Sequence, residues 1–124
     1  MLKKMTDRHR KKILVFVSSA TCDMFDHIES VGKILAESFG GVSISESIGF
    51  WSDRGDEDSA HYPAQSISKE RAVRIELLVM PNQLPDAISK LQSVFAALNR
   101  SHKLSLKHVH VEVSDALAHH FIVD

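Results

Sequence analysis

Cysteine is almost absent: the 124-residue chain has one thiol, Cys22. An internal disulfide is therefore excluded, and the composition fits a reducing compartment. Long apolar runs are also missing. None approaches the ~18 residues needed to span a bilayer, so no membrane insertion is expected. The apolar stretch at 13–17 is too short for the core of a signal peptide, which gives an expected cytoplasmic location. There is no excess of one charge: the formal net charge is −1. The chain as a whole points to neither an acidic nor a basic partner. Catalytic signatures are lacking too. No G-x-S-x-G, P-loop, dinucleotide-binding glycine pattern or H-E-x-x-H occurs. The expected class is non-enzymatic.

What is present is ordinary for a globular domain, with 44% hydrophobic and 25% charged residues. The length suits one domain. Residues 1–12 are polar and basic, with Lys3, Lys4, Arg8, Arg10, Lys11 and Lys12. They read as a disordered tail before a single domain at 13–124. Such a tail is either a solubilising terminus or an arm for phosphate or nucleic acid. The second reading carries the lesser weight.

Residues 13–17 form a continuous β-branched apolar run, the mark of a buried strand. A helix follows, with Met24, Ile28, Val31, Leu35 and Phe39 at helical spacing. Thr21 or Asp23 can cap its start, and Gly40 can supply the left-handed residue that ends it. A second strand spans 42–51. Val42, Ile44, Ile48 and Phe50 share one face with Glu46; Ser43, Ser45, Ser47 and Trp51 share the other. A long polar loop at 52–70 separates it from a third strand at 72–79, where Val73, Ile75, Leu77 and Val79 alternate with Arg74 and Glu76. Loops of that length are usually functional or disordered.

Asn82 is the expected cap of a second helix that tolerates Pro85 in its first turn and carries Leu84, Ile88, Leu91, Phe95 and Leu98 as its buried stripe. After a polar connection, residues 107–114 alternate as a fourth strand. The last ten residues fit an extra strand or a subunit clasp. The order β-α-β-β-α-β predicts an α+β, ferredoxin-like fold: a four-stranded antiparallel sheet with two helices on one face. The other sheet face then meets water or another subunit.

Several side-chain patterns carry potential chemistry. His108, His110 and Glu112 fall on one strand face, about 6–7 Å apart in steps of two residues. Imidazole and carboxylate suit a divalent metal such as zinc, nickel or copper. The alternative is a polar sheet face at a subunit boundary. The acidic stretch 53–58 lacks the spacing of a known calcium loop and reads more simply as a solvated loop. Cys22 has no matched histidine or arginine and reads as an inert thiol. Trp51 can stack on a ligand ring or pack across an interface.

Residues 42–113 resemble the PII-like signal proteins and, within that superfamily, the CutA proteins. The resemblance rests on the strand Val42-Ser43-Ile44-Ser45-Glu46-Ser47-Ile48-Gly49-Phe50 with its glycine-aromatic end, and on the loop that follows. It rests also on the strand Arg71-Ala72-Val73-Arg74-Ile75-Glu76-Leu77-Leu78-Val79-Met80-Pro81, which opens the second helix. The order Trp51, Gly55, Glu70 is similar to CutA. The resemblance implies a homo-oligomer, a trimer, whose open sheet faces turn inward. It also implies ligand clefts between subunits and a loop that reports the ligand to a regulated protein partner. The ligand implied is an adenine nucleotide, or a divalent metal on the CutA side through His108, His110 and Glu112. The implied cleft residues are Gly49, Phe50, Trp51, Arg54, Lys103 and Lys107. The segment 99–107, where PII proteins carry a glycine-rich phosphate loop, has no glycine and offers Arg100, Lys103 and Lys107 instead. Tyr62 is the single tyrosine.

Overall fold

Alternation of apolar and polar residues closes the strands into one sheet with one greasy side. The computed structural model describes residues 8–19, 24–55, 57–106 and 109–123. Its strands are β1 (His9–Val17), β2 (Ser43–Ser52), β3 (Ile67–Val79) and β4 (Val109–Leu117). Its helices are α1 (Ile28–Phe39) and α2 (Leu84–His102). The four strands pair antiparallel in the order β2-β3-β1-β4. The arrangement is α+β and ferredoxin-like.

The central pair, β1 and β3, organises the core. Ile13, Val15 and Val17 share a face with Val73, Ile75, Leu77 and Val79, and each is at most 2% exposed. α1 lays Ile28, Val31 and Leu35 on that face; α2 adds Ala87, Leu91, Val94, Phe95 and Leu98. Burying each large aliphatic side chain stabilises the fold by about 1.5–3 kcal/mol. Gly40 ends α1 in the left-handed region at φ 90° and donates its N–H to the Ala36 carbonyl at 2.8 Å. That conformation suits glycine because no Cβ clashes.

Several boundaries differ from expectation. β1 begins at His9, so residues 9–12 of the expected disordered tail are strand. The reason lies on the neighbouring strands: Lys11 meets Asp115 of β4, and Lys12 meets Glu76 of β3 at 3.0 Å. A charge-rich segment becomes acceptable as strand when opposite charges flank it. β4 correspondingly runs on to Leu117. Residues 118–123 form no further strand. β3 begins at Ile67, which shortens the connecting loop from the expected 52–70 to 53–66.

The first helical segment opens as a 3-10 turn, Met24–His27, before α1. Asn82 is not the cap of α2. A 3-10 turn, Pro81–Gln83, precedes the helix, and the Gln83 carboxamide oxygen accepts the Met80 N–H at 2.8 Å. Pro85 does sit in the first turn. The caps expected at Thr21 or Asp23, and Cys22 itself, lie outside the described residues. Among the described residues no helix is long and apolar enough to cross a membrane.

The core assignment is testable by truncation. Leu91→Ala, at a fully buried site, should lower the unfolding free energy by about 2–5 kcal/mol. Ile34→Ala, on the exposed side of α1, should change it by no more than about 0.5 kcal/mol. Urea titrations of the two variants check both; equal losses would contradict this core.

Candidate functional site: the overhanging arm and the open sheet face

The central strands end at different heights, and that difference builds the site. Pairing of β1 with β3 stops at Val17–Val73, but pairing of β2 with β3 runs on to Ser52–Ile67. Residues 47–52 and 67–72 therefore project beyond β1 as a two-stranded arm about 20 Å long. On the helix side of this arm, Ile48 is 59% and Phe50 65% exposed, and Ile67 is exposed beside them. On the other side, the Trp51 indole lies back over Gly49. A Cβ at residue 49 would stand 2.5 Å from three indole atoms, so only glycine admits this close approach. Gly49 pairs with Glu70, whose carboxylate accepts the Ser18 hydroxyl at 2.6 Å. At the root of the arm, Glu46, Ser47, Ile48 and Arg71 line an open hollow of about 400 Å³. Glu46, the acid among apolar neighbours of β2, is paired there by Arg71 at 2.9 Å.

The loop at the arm's tip is organised by its own hydrogen bonds. The Asp53 N–H donates to the Ser66 carbonyl at 2.9 Å. The Ser52 and Ser66 hydroxyls meet at 2.9 Å, and the Ser66 hydroxyl donates to the Pro63 carbonyl at 2.6 Å. Arg54 donates its N–H to the Ser52 hydroxyl at 3.1 Å, and the Tyr62 hydroxyl donates to the Glu57 carbonyl. A 3-10 turn, Ala64–Ser66, leads into β3. Asp53, Glu57 and Asp58 are exposed, and Asp56 lies outside the described residues. Among the described residues no group of three His, Cys, Asp or Glu side chains is placed to hold a metal ion.

The open sheet face mixes apolar rings with paired charges. Leu14 and Phe16 of β1 are half-buried here, and Leu78 of β3 is exposed. Around them Lys12 and Arg74 both reach Glu76, at 3.0 and 3.1 Å. The hydrogen bond from Lys12, its charge and that of Arg74 together hold the Glu76 carboxyl below its ordinary value of 4.5, against the opposing effect of burial. At the sheet's rim the hydrogen bond from Lys11 lowers Asp115 in the same direction. His110 Nε2 lies 2.8 Å from Glu112 Oε2, and the His110 ring sits 6.4 Å from that of Phe16.

The residues singled out from sequence are distributed over this geometry. Gly49 and Trp51 meet on the open side. Phe50 points to the reverse side of the arm, and Arg54 sits in the turn beyond. Lys103 holds the left-handed end of α2 at φ 52°. Leu104, next to Lys103, accepts the Ser19 hydroxyl, and Ser18 reaches Glu70 opposite Gly49. Of the expected His108, His110 and Glu112 group, His110 and Glu112 share a face and meet, while His108, like Lys107, lies outside the described residues.

Sequence reasoning missed Leu104. It sits in a segment read as a polar connection, yet it is 1% exposed and plugs the core. Its one signal is an isolated leucine between lysine and serine. Of the basic tail, Lys11 and Lys12 are engaged in ion pairs within the sheet, and residues 1–7, with Lys3 and Lys4, lie outside the described residues. No family model and no curated protein matches the chain.

Two outcomes follow from these contacts. Gly49→Ala should push the indole off the strand. Trp51 is the single tryptophan, so its fluorescence emission should shift to the red, with a stability loss of about 1 kcal/mol or less. An unchanged spectrum would contradict the stacking. For Glu76 the folded carboxyl titrates below the unfolded one, so its ion pairs stabilise the fold above pH 4.5 and fade as pH falls through the lowered value. Wild type should melt above Glu76→Gln at neutral pH, by no more than about 1 kcal/mol for so exposed a pair. The gap should narrow as pH falls below 4.5 and close once the carboxyl is protonated in both states. A gap that persists there would sink the assignment.

Proposed function

We propose that the protein is a PII-like regulatory protein. It binds a small ligand between subunits and reports it to a protein partner through the loop at 53–66. The observation that carries this reading is the overhanging arm. A two-stranded ribbon is marginal in water on its own. This one also presents Ile48, Phe50, Ile67 and Trp51 to solvent. Contact with a neighbouring subunit would cover such a surface and leave the self-bonded loop at its tip displayed. The open face, with Leu14, Phe16 and Leu78 among neutralised charges, has the mixed character of an assembly surface.

In this reading the assembly is a trimer built on the open faces. The ligand is an adenine nucleotide, with the Trp51 indole as a stacking surface for the base. Arg54 and Lys103 supply cations to the phosphates, and Lys103 comes from a neighbouring subunit. Ligand binding changes how the arm is held and thereby what the loop presents.

Light scattering on the purified protein should give three chains or a multiple of three, and a monomer would overturn the reading. ATP, ADP or AMP at a hundredfold excess over its dissociation constant should stabilise the fold by about 2.7 kcal/mol, visible as a raised melting temperature. Trp51→Ala should abolish that shift. Absence of a shift with all three nucleotides removes the ligand assignment.

A further inference from the structure

Natural edge strands are usually short, bulged, or guarded by proline or inward-pointing lysine. β4 is neither short nor bulged and carries no proline or lysine, and its one acid on the helix side, Asp115, is neutralised by Lys11 of its own β1. It runs nine residues, Val109–Leu117, without proline or glycine, and among the described residues it pairs on one side only, with β1. Every second residue of β4 therefore turns its N–H and C=O groups away from the sheet. Its apolar row is also uncovered. Val109, Val111 and Val113 stand opposite Val17, Val15 and Ile13 on the helix side, yet are 39%, 37% and 45% exposed. The following residues do not cover them. Ala118 donates its N–H to the Arg8 carbonyl at 2.8 Å, continuing along β1, and Phe121, Ile122 and Val123 are themselves exposed.

We propose that β4 pairs antiparallel with β4 of a second copy, across a two-fold axis at Val111. The register is chosen by the side chains. Directly opposite residues in an antiparallel pair share a sheet face, and opposite charges there are favourable while like charges are not. An axis at Glu112 sets two carboxylates against each other. An axis at His110 sets that imidazole against its own copy. An axis at Val113 places Val111 opposite the partner's Asp115. With the axis at Val111, Val111 faces the partner's Val111 and Val109 faces the partner's Val113. His110 then faces the partner's Glu112 on the open side. The two sheets become one continuous sheet, with the valines of both copies in one apolar row. This contact uses the edge, not the open face or the arm, so it stands apart from the proposed ligand-sensing assembly.

The test is register-specific cross-linking in the full chain, on a Cys22→Ser background. Val111→Cys should couple to itself under mild oxidant and run as a covalent dimer on a non-reducing gel. Val113→Cys alone should stay monomeric on that gel, while a mixture of Val109→Cys and Val113→Cys chains should couple. By light scattering, Val111→Lys should halve the native mass with the far-ultraviolet circular dichroism unchanged. His110→Glu should weaken the dimer, and His110→Glu with Glu112→His should restore it. A failure of Val111→Cys to couple, or self-coupling at residue 113 instead, overturns the proposal. So does a folded Val111→Lys variant of unchanged mass. If Val111→Lys does not fold, the cross-linking pattern decides. The wild-type mass separates this contact from the open-face trimer. Six chains falling to three supports both. Two falling to one supports the β4 pair and overturns the trimer. Three that do not change do the reverse.

Discussion

Two helices cover the central pair of strands and little else, and most of what is distinctive here depends on that limit. Ile13, Val15, Val17, Val73, Ile75, Leu77 and Val79 are sealed between β1, β3 and the helices. Moving outward, Ile44 on β2 is only partly buried, and the valines of β4 are open. The hydrophobic effect scales with area removed from water. The fold is therefore held from its middle, and its margins are left open to solvent.

Three uncovered surfaces result, and each has a different character. The arm at 47–52 and 67–72 is apolar on its helix side and holds the Trp51 indole on the other. The open face carries Leu14 and Phe16 within a frame of ion pairs centred on Glu76. The β4 edge combines free backbone groups with a valine row and the His110–Glu112 pair. Neutralised charges make the open face cheap to desolvate compared with a face of unpaired ions. Unpaired strand edges favour strand addition. The proposed trimer, ligand cleft and edge pair divide these surfaces among them.

The row from Leu104 through Ser19 and Ser18 to Glu70 and Gly49 links these regions. It ties the segment after α2, where a phosphate loop was expected, to the base of the arm. Leu104 anchors that segment in the core, and the Asn99 side-chain oxygen accepts the Leu106 N–H at 3.1 Å. The segment is thus pinned by one buried leucine and two side-chain hydrogen bonds, without the glycines that a nest of backbone N–H groups would use.

Much of this was legible in the amino-acid order. The period of two at 73–79 and 109–113 determined which residues face the helices. The same period put His110 with Glu112, and Gly49 with Trp51, on the side of the sheet away from the helices, because alternate side chains on a strand share a face. Gly40 marked the end of α1 for an equally local reason, the ease of a positive φ. Tertiary structure decided the rest. Residues 9–12 became strand because Asp115 and Glu76, far away in sequence, supply opposite charges beside Lys11 and Lys12. Residues 67–70 joined β3 because β2 runs long enough to pair with them. The valines of β4 remained open, and the lone Leu104 was buried, because burial depends on what is stacked above a residue. Side-chain direction is a property of the local backbone; strand length and burial belong to partners that the chain meets only after it has folded.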